Sequence, residues 1–204
     1  MKLYYMPGAC SLASHIVLEW IGKPYDAHKR SRDELKGPAF LKVNPLGAVP
    51  ALDDDGFTLT QNVAILEYLA EQAPQAKLLG DGSARSRADV RRWLGFINSD
   101  IHKTFSMIFG AGRFLAEEAP QQELAASASR LLTRLFALLD AQLINQPYLG
   151  GEAPSVADAY LYVVLRWAHA KQVDLSGQEH LAAFFKRMQD NAGVKAALKA
   201  EGLE

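Results

Sequence analysis

The opening stretch of the chain leaves few folds open to it. Leu3, Tyr4 and Tyr5 favour a strand, Met6-Pro7-Gly8 interrupts it, and Leu12, Ile16, Val17 and Trp20 recur at the spacing of an amphipathic helix. That helix reaches about Gly22, Lys23-Pro24 breaks the chain, and Tyr25 to Lys29 forms a short, half-apolar strand. Strand, helix and strand in that order predict a parallel pair joined by a right-handed crossover. The only cysteine, Cys10, stands at the turn from strand to helix, with Ser11 placed to cap the helix. Unpaired backbone N–H groups and the helix dipole favour negative charge at such a place. The thiol is therefore expected to titrate below its ordinary value of about 8.5, toward the nucleophilic thiolate. The plainer alternative is a cysteine that serves as a small buried hydrophobe. With no second cysteine, neither an internal disulfide nor an intrachain dithiol cycle is available, and redox chemistry at Cys10 needs an external thiol.

The elements that follow complete a small α/β unit. Arg30 to Gly37 reads as a polar loop, and Pro38 to Val43 as a helical turn or two stopped by Asn44-Pro45. Ala51-Leu52-Asp53 and Phe57 to Thr60 flank Asp54-Asp55-Gly56 as a hairpin, and a helix then starts at Thr60 or Gln61 and carries Ala64, Ile65, Leu66 and Leu69. The order is βαβαββα. Beyond it every segment is helical. Arg85 to about Phe109 carries a stripe of Val90, Trp93, Leu94, Ile97 and Ile101, and a second long helix carries Leu124, Ala128, Leu131, Leu135 and Leu138. Ser155-Val156-Ala157-Asp158 resembles a capping box opening a helix with Tyr160, Val163, Val164 and Trp167. His180 to Met188 and Val194 to Leu198 supply two shorter helices. The expected division is an α/β domain over residues 1–77, a linker over 78–84 and an all-helical domain over 85–204.

Several function classes find little support. A formal net charge of −1 gives no overall pull toward nucleic acid or anionic membranes. No apolar run approaches the roughly 18 residues of a membrane span, and the N-terminal strand lacks a signal-peptide core, so the expected location is the cytoplasm. Asp53-Asp54-Asp55 fits a hairpin turn better than a Ca²⁺ loop, which needs more oxygen ligands at regular spacing, and no zinc-ligand cluster is present. Arg85, Arg87, Arg91 and Arg92 read as a solvated face or a subunit contact.

Short strings spread over the whole chain carry a family likeness. They are Met1-Lys2-Leu3-Tyr4-Tyr5 with Pro7-Gly8 and Cys10-Ser11, then Asn44-Pro45 with Gly47 and Val49-Pro50, then Val63-Ala64-Ile65 with Tyr68-Leu69. His102-Lys103, Ser155 with Ala157-Asp158-Ala159-Tyr160, and the terminal Glu201-Gly202-Leu203 continue the series. In this order and spacing they resemble the cytosolic glutathione transferases, the bacterial beta class above all. The resemblance implies a thioredoxin-like domain packed on a helical bundle, a homodimer, glutathione as co-substrate and a small apolar electrophile as its partner.

The resemblance also implies roles for particular residues. It makes Val49-Pro50 a cis bond, with the Val49 backbone meeting the cysteinyl part of glutathione as an added strand would. It brings His102 toward the Cys10 sulfur and Lys103 toward the glycine carboxylate. Tyr5 and Ser11 become candidates for the hydroxyl that steadies the glutathione thiolate in other classes. Gln61 and Asn62 fall where many transferases carry an acid followed by serine. Gln61 is neutral, so the glutathione ammonium would need another acid, for which Asp100, beside Ser99 in the binding set, is the candidate from a partner chain. Met6, Phe105, Phe109 and Trp167 would line the electrophile's cleft. In the implied dimer the helix from Asn62 meets the helix from Arg85 of the other chain, with Glu67 or Glu71 pairing with Arg87 or Arg91 across the axis. The implied activity is conjugation, with Cys10 adding thiol transferase or reductase chemistry through a mixed disulfide. A non-catalytic binding or regulatory relative is the alternative, since fold alone does not fix function.

Overall fold

The structure, a computed structural model, describes residues 1–204. Its four-stranded sheet runs, edge to edge, β2 (Asp26–Lys29), β1 (Lys2–Tyr5), β3 (Ala51–Asp54) and β4 (Phe57–Thr60). The strand β1 runs parallel to β2 and antiparallel to β3, which makes a hairpin with β4. The period-2 alternation of the strands sorts side chains onto two faces. Leu3 and Leu52 turn to one side, under α1 (Ser11–Ile21) and α4 (Asn62–Glu71), and join the main core. Tyr4 and Ala51 turn to the other, under α2 (Arg32–Lys36) and α3 (Pro38–Leu41), where Leu35 and Phe40 close a small second core. Gly22 ends α1 in the left-handed region (φ 68°), its N–H on the Leu18 carbonyl at 3.0 Å, a conformation that a side chain would oppose.

The stretch from Arg30 to Gly37, expected as a loop, contains α2. Ser31 and Glu34 form a reciprocal capping box: the Glu34 N–H donates to Ser31 Oγ, and the Ser31 N–H donates to Glu34 Oε2 at 2.7 Å. The S-x-x-E spacing was there to be read, and its two hydrogen bonds are what sustain so short a helix.

The second half is helical throughout. A 3₁₀ turn at Pro74–Ala76 leads to α5 (Ala84–Phe96), a π-helical turn at Ile97–His102, α6 (Lys103–Phe109) and a 3₁₀ turn at Ala111–Arg113. After it come α7 (Glu118–Gln142), α8 (Val156–Ala170), α9 (Glu179–Asp190) and α10 (Ala192–Glu201). The segment expected as a single helix to Phe109 is thus interrupted by a wider turn. Helix α8 is buried on almost every side from Val156 to Leu165, and α10 returns to pack on α1, so one core joins both halves. The connecting stretch is itself anchored, with Leu78 and Leu79 buried and the Leu78 carbonyl accepting the Val156 N–H at 3.0 Å. No helix is long and apolar enough to cross a membrane.

Helix α7 is rotated from the expected stripe. Ala128, Leu132, Phe136 and Leu139 face inward, whereas Leu138 is 55% exposed. Leucines at 131, 132, 135, 138 and 139 define two overlapping helical stripes, so spacing alone could not choose between them. The choice follows Phe136, whose ring packs edge-on against Phe105 at 6.4 Å.

Candidate active site

Cys10 is the residue from which α1 departs, and it caps nothing with its side chain. Ser11, expected as the cap, is instead the first helical residue. Its buried Oγ donates to the Met6 carbonyl and accepts the Met6 N–H, both at 3.3 Å, closing the loop before Cys10. That loop is gripped from the helical half at both the N–H and the carbonyl of one residue. The Gly8 N–H donates to Glu201 Oε2 at 2.9 Å, and its carbonyl accepts Trp167 Nε1–H at 2.8 Å. Glu201 is held in turn by the fully buried His15, with Nδ1 to Oε1 at 2.9 Å.

The Val49–Pro50 bond is cis, and the Val49 carbonyl accepts the Cys10 thiol at 3.3 Å. The expectation of a lowered thiol pKa is overturned. The backbone N–H groups of Cys10 and Ser11 do favour the thiolate, but burial outweighs them and pushes the thiol up to about 12.

Two clefts meet at this point. One, of about 340 Å³, is walled by Met6, Pro7, Phe109 and Trp167, with Arg32 as its one charged side chain. The other, of about 210 Å³, is lined by Val49, Pro50, Gln61, Asn62, Asn98 and Tyr160. Cys10 and His102 belong to both and form the wall between them. Phe105, expected in the apolar cleft, is fully buried beneath it and stacks on Phe109 at 5.5 Å between centroids.

His102 presents Nδ1 to the Tyr160 hydroxyl and sets its ring edge-on to Trp167 at 4.9 Å. The π-helical turn Ile97–His102 carries both Asn98 and His102 to that hydroxyl, for Tyr160 also donates to Asn98 Oδ1 at 3.2 Å. Burial, and then the charge of Lys103, depress the His102 pKa to about 4, so the imidazole is neutral and gives no positive charge to a Cys10 thiolate. Asn62 is buried, its Oδ1 held by the Ser14 hydroxyl at 2.9 Å. Its buried Nδ2 has no hydrogen-bond partner. Gln61 adopts φ 72°, ψ 117°, rare for a residue with a side chain, and such conformations cluster at ligand sites.

Other candidates lie elsewhere. Tyr5 is buried with its ring 5.2 Å from that of His15 and lines neither cleft. Lys103 is exposed outside both clefts, as are Ser99 and Asp100, whose side chains bond each other at 2.6 Å. Arginine and glutamate pair within the chain: Arg91 with Glu67 at 3.2 Å, and Arg87 and Arg91 with Glu71 at 3.3 and 3.4 Å. Within one chain α4 and α5 thus already present these charges to each other. Tyr160, Asn98 and Arg32 are among the lining residues to which the sequence assigned no place in the site. Tyr160 was concealed within an apolar helix stripe, and Arg32 within an apparent loop. Asn98 showed one signal, its place one turn before His102 on the same face.

Two buried residues whose uncharged forms are favoured by burial make opposite demands on pH. Below the ordinary histidine value of 6.5 the unfolded chain takes up the His102 proton first, so stability present above 6.5 is lost as pH falls toward about 4. Burial raises Asp158 to about 6, so its folded form takes the proton first, and this locus gains stability between about 6 and 3.8. Urea unfolding of wild type and His102→Gln isolates the imidazole. From pH 7 to pH 5 the wild type is expected to lose roughly 1 to 2 kcal/mol more than the variant. Equal losses would place the acid sensitivity elsewhere.

A cis-proline loop beside the only cysteine of a thioredoxin-like sheet, docked on a helical domain, is the plan of a glutathione-dependent transferase. The chain matches the family model for the glutathione S-transferase N-terminal domain over residues 1–71 and that for the C-terminal domain over residues 98–191. It is 50% identical over 203 residues, the whole of both chains, to the glutathione S-transferase GST-4.5 of Xanthomonas campestris pv. campestris. The solved glutathione S-transferase from Xylella fastidiosa superposes with a TM-score of 0.96 at 45% identity, covering 100% of this chain and 99% of the other. The bacterial beta class transferase of Sphingomonas chungbukensis does so with a TM-score of 0.88 at 40% identity, covering 100% of both. The chain therefore belongs to the glutathione S-transferase family. It is a glutathione transferase, with glutathione as its co-substrate, and it is similar to the bacterial beta class.

Proposed function

We propose that this enzyme joins glutathione to small apolar electrophiles across the wall formed by Cys10 and His102, and that Cys10 adds thiol transferase or reductase chemistry. The observation that carries the reading is the meeting of the two clefts at that wall. The polar cleft has the features that a peptide ligand needs: the Val49 backbone beside a cis proline, the open Nδ2 donor of Asn62, and the N-terminus of α4. The apolar cleft suits a hydrophobic electrophile. Holding both partners beside one sulfur position supplies the proximity that a conjugation requires. Retention on glutathione-linked resin, release by free glutathione and conjugation of an apolar aryl halide are the expected results. A protein that binds glutathione but forms no conjugate and reduces no mixed disulfide would be the non-catalytic relative instead.

The same reading makes residues 1–77 the glutathione-binding domain, 78–84 the linker and 85–204 the helical domain of a cytoplasmic homodimer. Ser99 and Asp100 are exposed on the π-helical turn, outside their own chain's clefts, as a contribution to a partner's site requires. Asp100→Asn is then expected to weaken glutathione binding by about 1 to 3 kcal/mol, the usual range for a hydrogen bond to a charged group, and Gln61→Glu to restore part of it. Calorimetric titration reads both. Unchanged affinity in Asp100→Asn removes Asp100 from the site, and light scattering that finds a monomer at micromolar concentration removes the shared site altogether.

A further inference from the structure

The hydrogen-bond chain behind His102 has a direction. Tyr160 has one hydroxyl hydrogen and donates it to Asn98 Oδ1. Its contact with His102 Nδ1 then needs a hydrogen on the imidazole, because the tyrosine has no second one to give. Asn62, whose carbonyl end is occupied by the Ser14 hydroxyl, lines the same cleft as Tyr160 and keeps its buried NH₂ end unpaired. All of these groups are buried or half-buried at the seam between α1 and α4 on one side and α8 and the π-helical turn on the other.

We propose that Asn98 and Tyr160 are positioning residues that hold His102 as the Nδ1–H tautomer, so that Nε2 faces the clefts as a bare acceptor for a thiol proton. The proposal rests on the reading that a glutathione or Cys10 thiol reacts at this wall. The alternative tautomer places the only free lone pair on Nδ1, against Tyr160, where no thiol can reach it. With Nδ1–H on Tyr160, the S–H bond breaks, an Nε2–H bond forms, and the electron pair stays on sulfur. The resulting imidazolium keeps its bond to Tyr160, so no side chain has to turn. A histidine whose remote nitrogen is oriented by a third group follows the general logic of an activated nucleophile.

Long-range ¹H–¹⁵N NMR of the full chain carrying ¹⁵N-histidine tests this, with the His102 signals identified among the five histidines by their loss in His102→Gln. The wild type is expected to show a protonated, pyrrole-type Nδ1 and an unprotonated, pyridine-type Nε2. In Asn98→Leu the tyrosine hydrogen is freed to turn to Nδ1, and in Tyr160→Phe the partner is gone; both should shift His102 to the Nε2–H form. Asn98→Asp still accepts the tyrosine hydrogen and should keep the wild-type tautomer. Glutathione conjugation should fall by at least about ten-fold in Asn98→Leu, a part of the roughly hundred-fold or more that general base catalysis supplies, with Asn98→Asp recovering most of the loss. Circular dichroism checks that each variant is folded. An Nε2–H wild type, a tautomer unmoved in both disrupting variants, or a tautomer shift without loss of conjugation would each overturn the proposal. Failure of the functional reading would show separately, as a chain that binds no glutathione while the Nδ1–H tautomer is present.

Discussion

Cys10→Ser is expected to bring every disulfide-based reaction to background while reducing conjugation only roughly ten-fold or less. The two losses differ because the chemistry differs. A mixed disulfide needs the protein sulfur, whereas conjugation uses the sulfur of glutathione, and a serine hydroxyl can still donate to the Val49 carbonyl as the thiol does. With the thiol pushed up to about 12 by burial, Cys10 is protonated at pH 7. Alkylation of the ligand-free wild type should therefore be slow at neutral pH and accelerate only in strongly alkaline solution. Glutathione is expected to change this by taking the Val49 carbonyl, which deprives the thiol of the acceptor that now holds it. Mass spectrometry of the glutathione adduct and conjugation kinetics read the two activities separately. Equal loss of both in Cys10→Ser would join what is here kept apart.

Asp158→Ala is expected to cost about 3 kcal/mol of stability and to damage the site from a distance. The buried carboxylate accepts the Leu149 N–H at 2.7 Å, the Ser155 N–H at 2.8 Å and the Ser155 hydroxyl at 2.7 Å. Alanine leaves these donors buried with nothing to accept them, at about 1 to 3 kcal/mol for each. Relief of the carboxylate's own desolvation offsets part of that sum. Against a total stability of about 5 to 15 kcal/mol the loss is large. The capping box also determines where α8 begins, and α8 carries Tyr160 and Trp167, one behind His102 and the other on Gly8. Urea unfolding should show the loss, and conjugation should decline below the melting temperature as the start of α8 loosens. A midpoint within a few tenths of wild type would mean that water replaces the carboxylate.

Much of the architecture was open to reading because it is locally encoded. The strand-to-helix turn at Met6-Pro7-Gly8, the hairpin about Asp54-Asp55-Gly56 and the capping box at Ser155 are decided by residues close in sequence, and all three stand where they were expected. Family likeness added the cis bond at Val49–Pro50, which no periodicity reports. Two local signals compete along the double leucine stripe of α7, and the Ser31–Glu34 capping box stands within a stretch that is otherwise polar.

By itself the sequence determined the element order, the division of character between an α/β half and a helical half, and the place of Cys10 at a helix start. Each of these depends on neighbours within a turn or two. The tertiary structure alone decided the chemistry at that place. A helix terminus favours a thiolate, but whether it prevails depends on how much protein covers the sulfur, and here burial wins and the thiol stays protonated. Tyr160 became a hydrogen-bond partner of His102, 58 positions away, only because α8 packs against the π-helical turn. Desolvation and long-range hydrogen bonds are properties of the assembled core, and no window of sequence contains them.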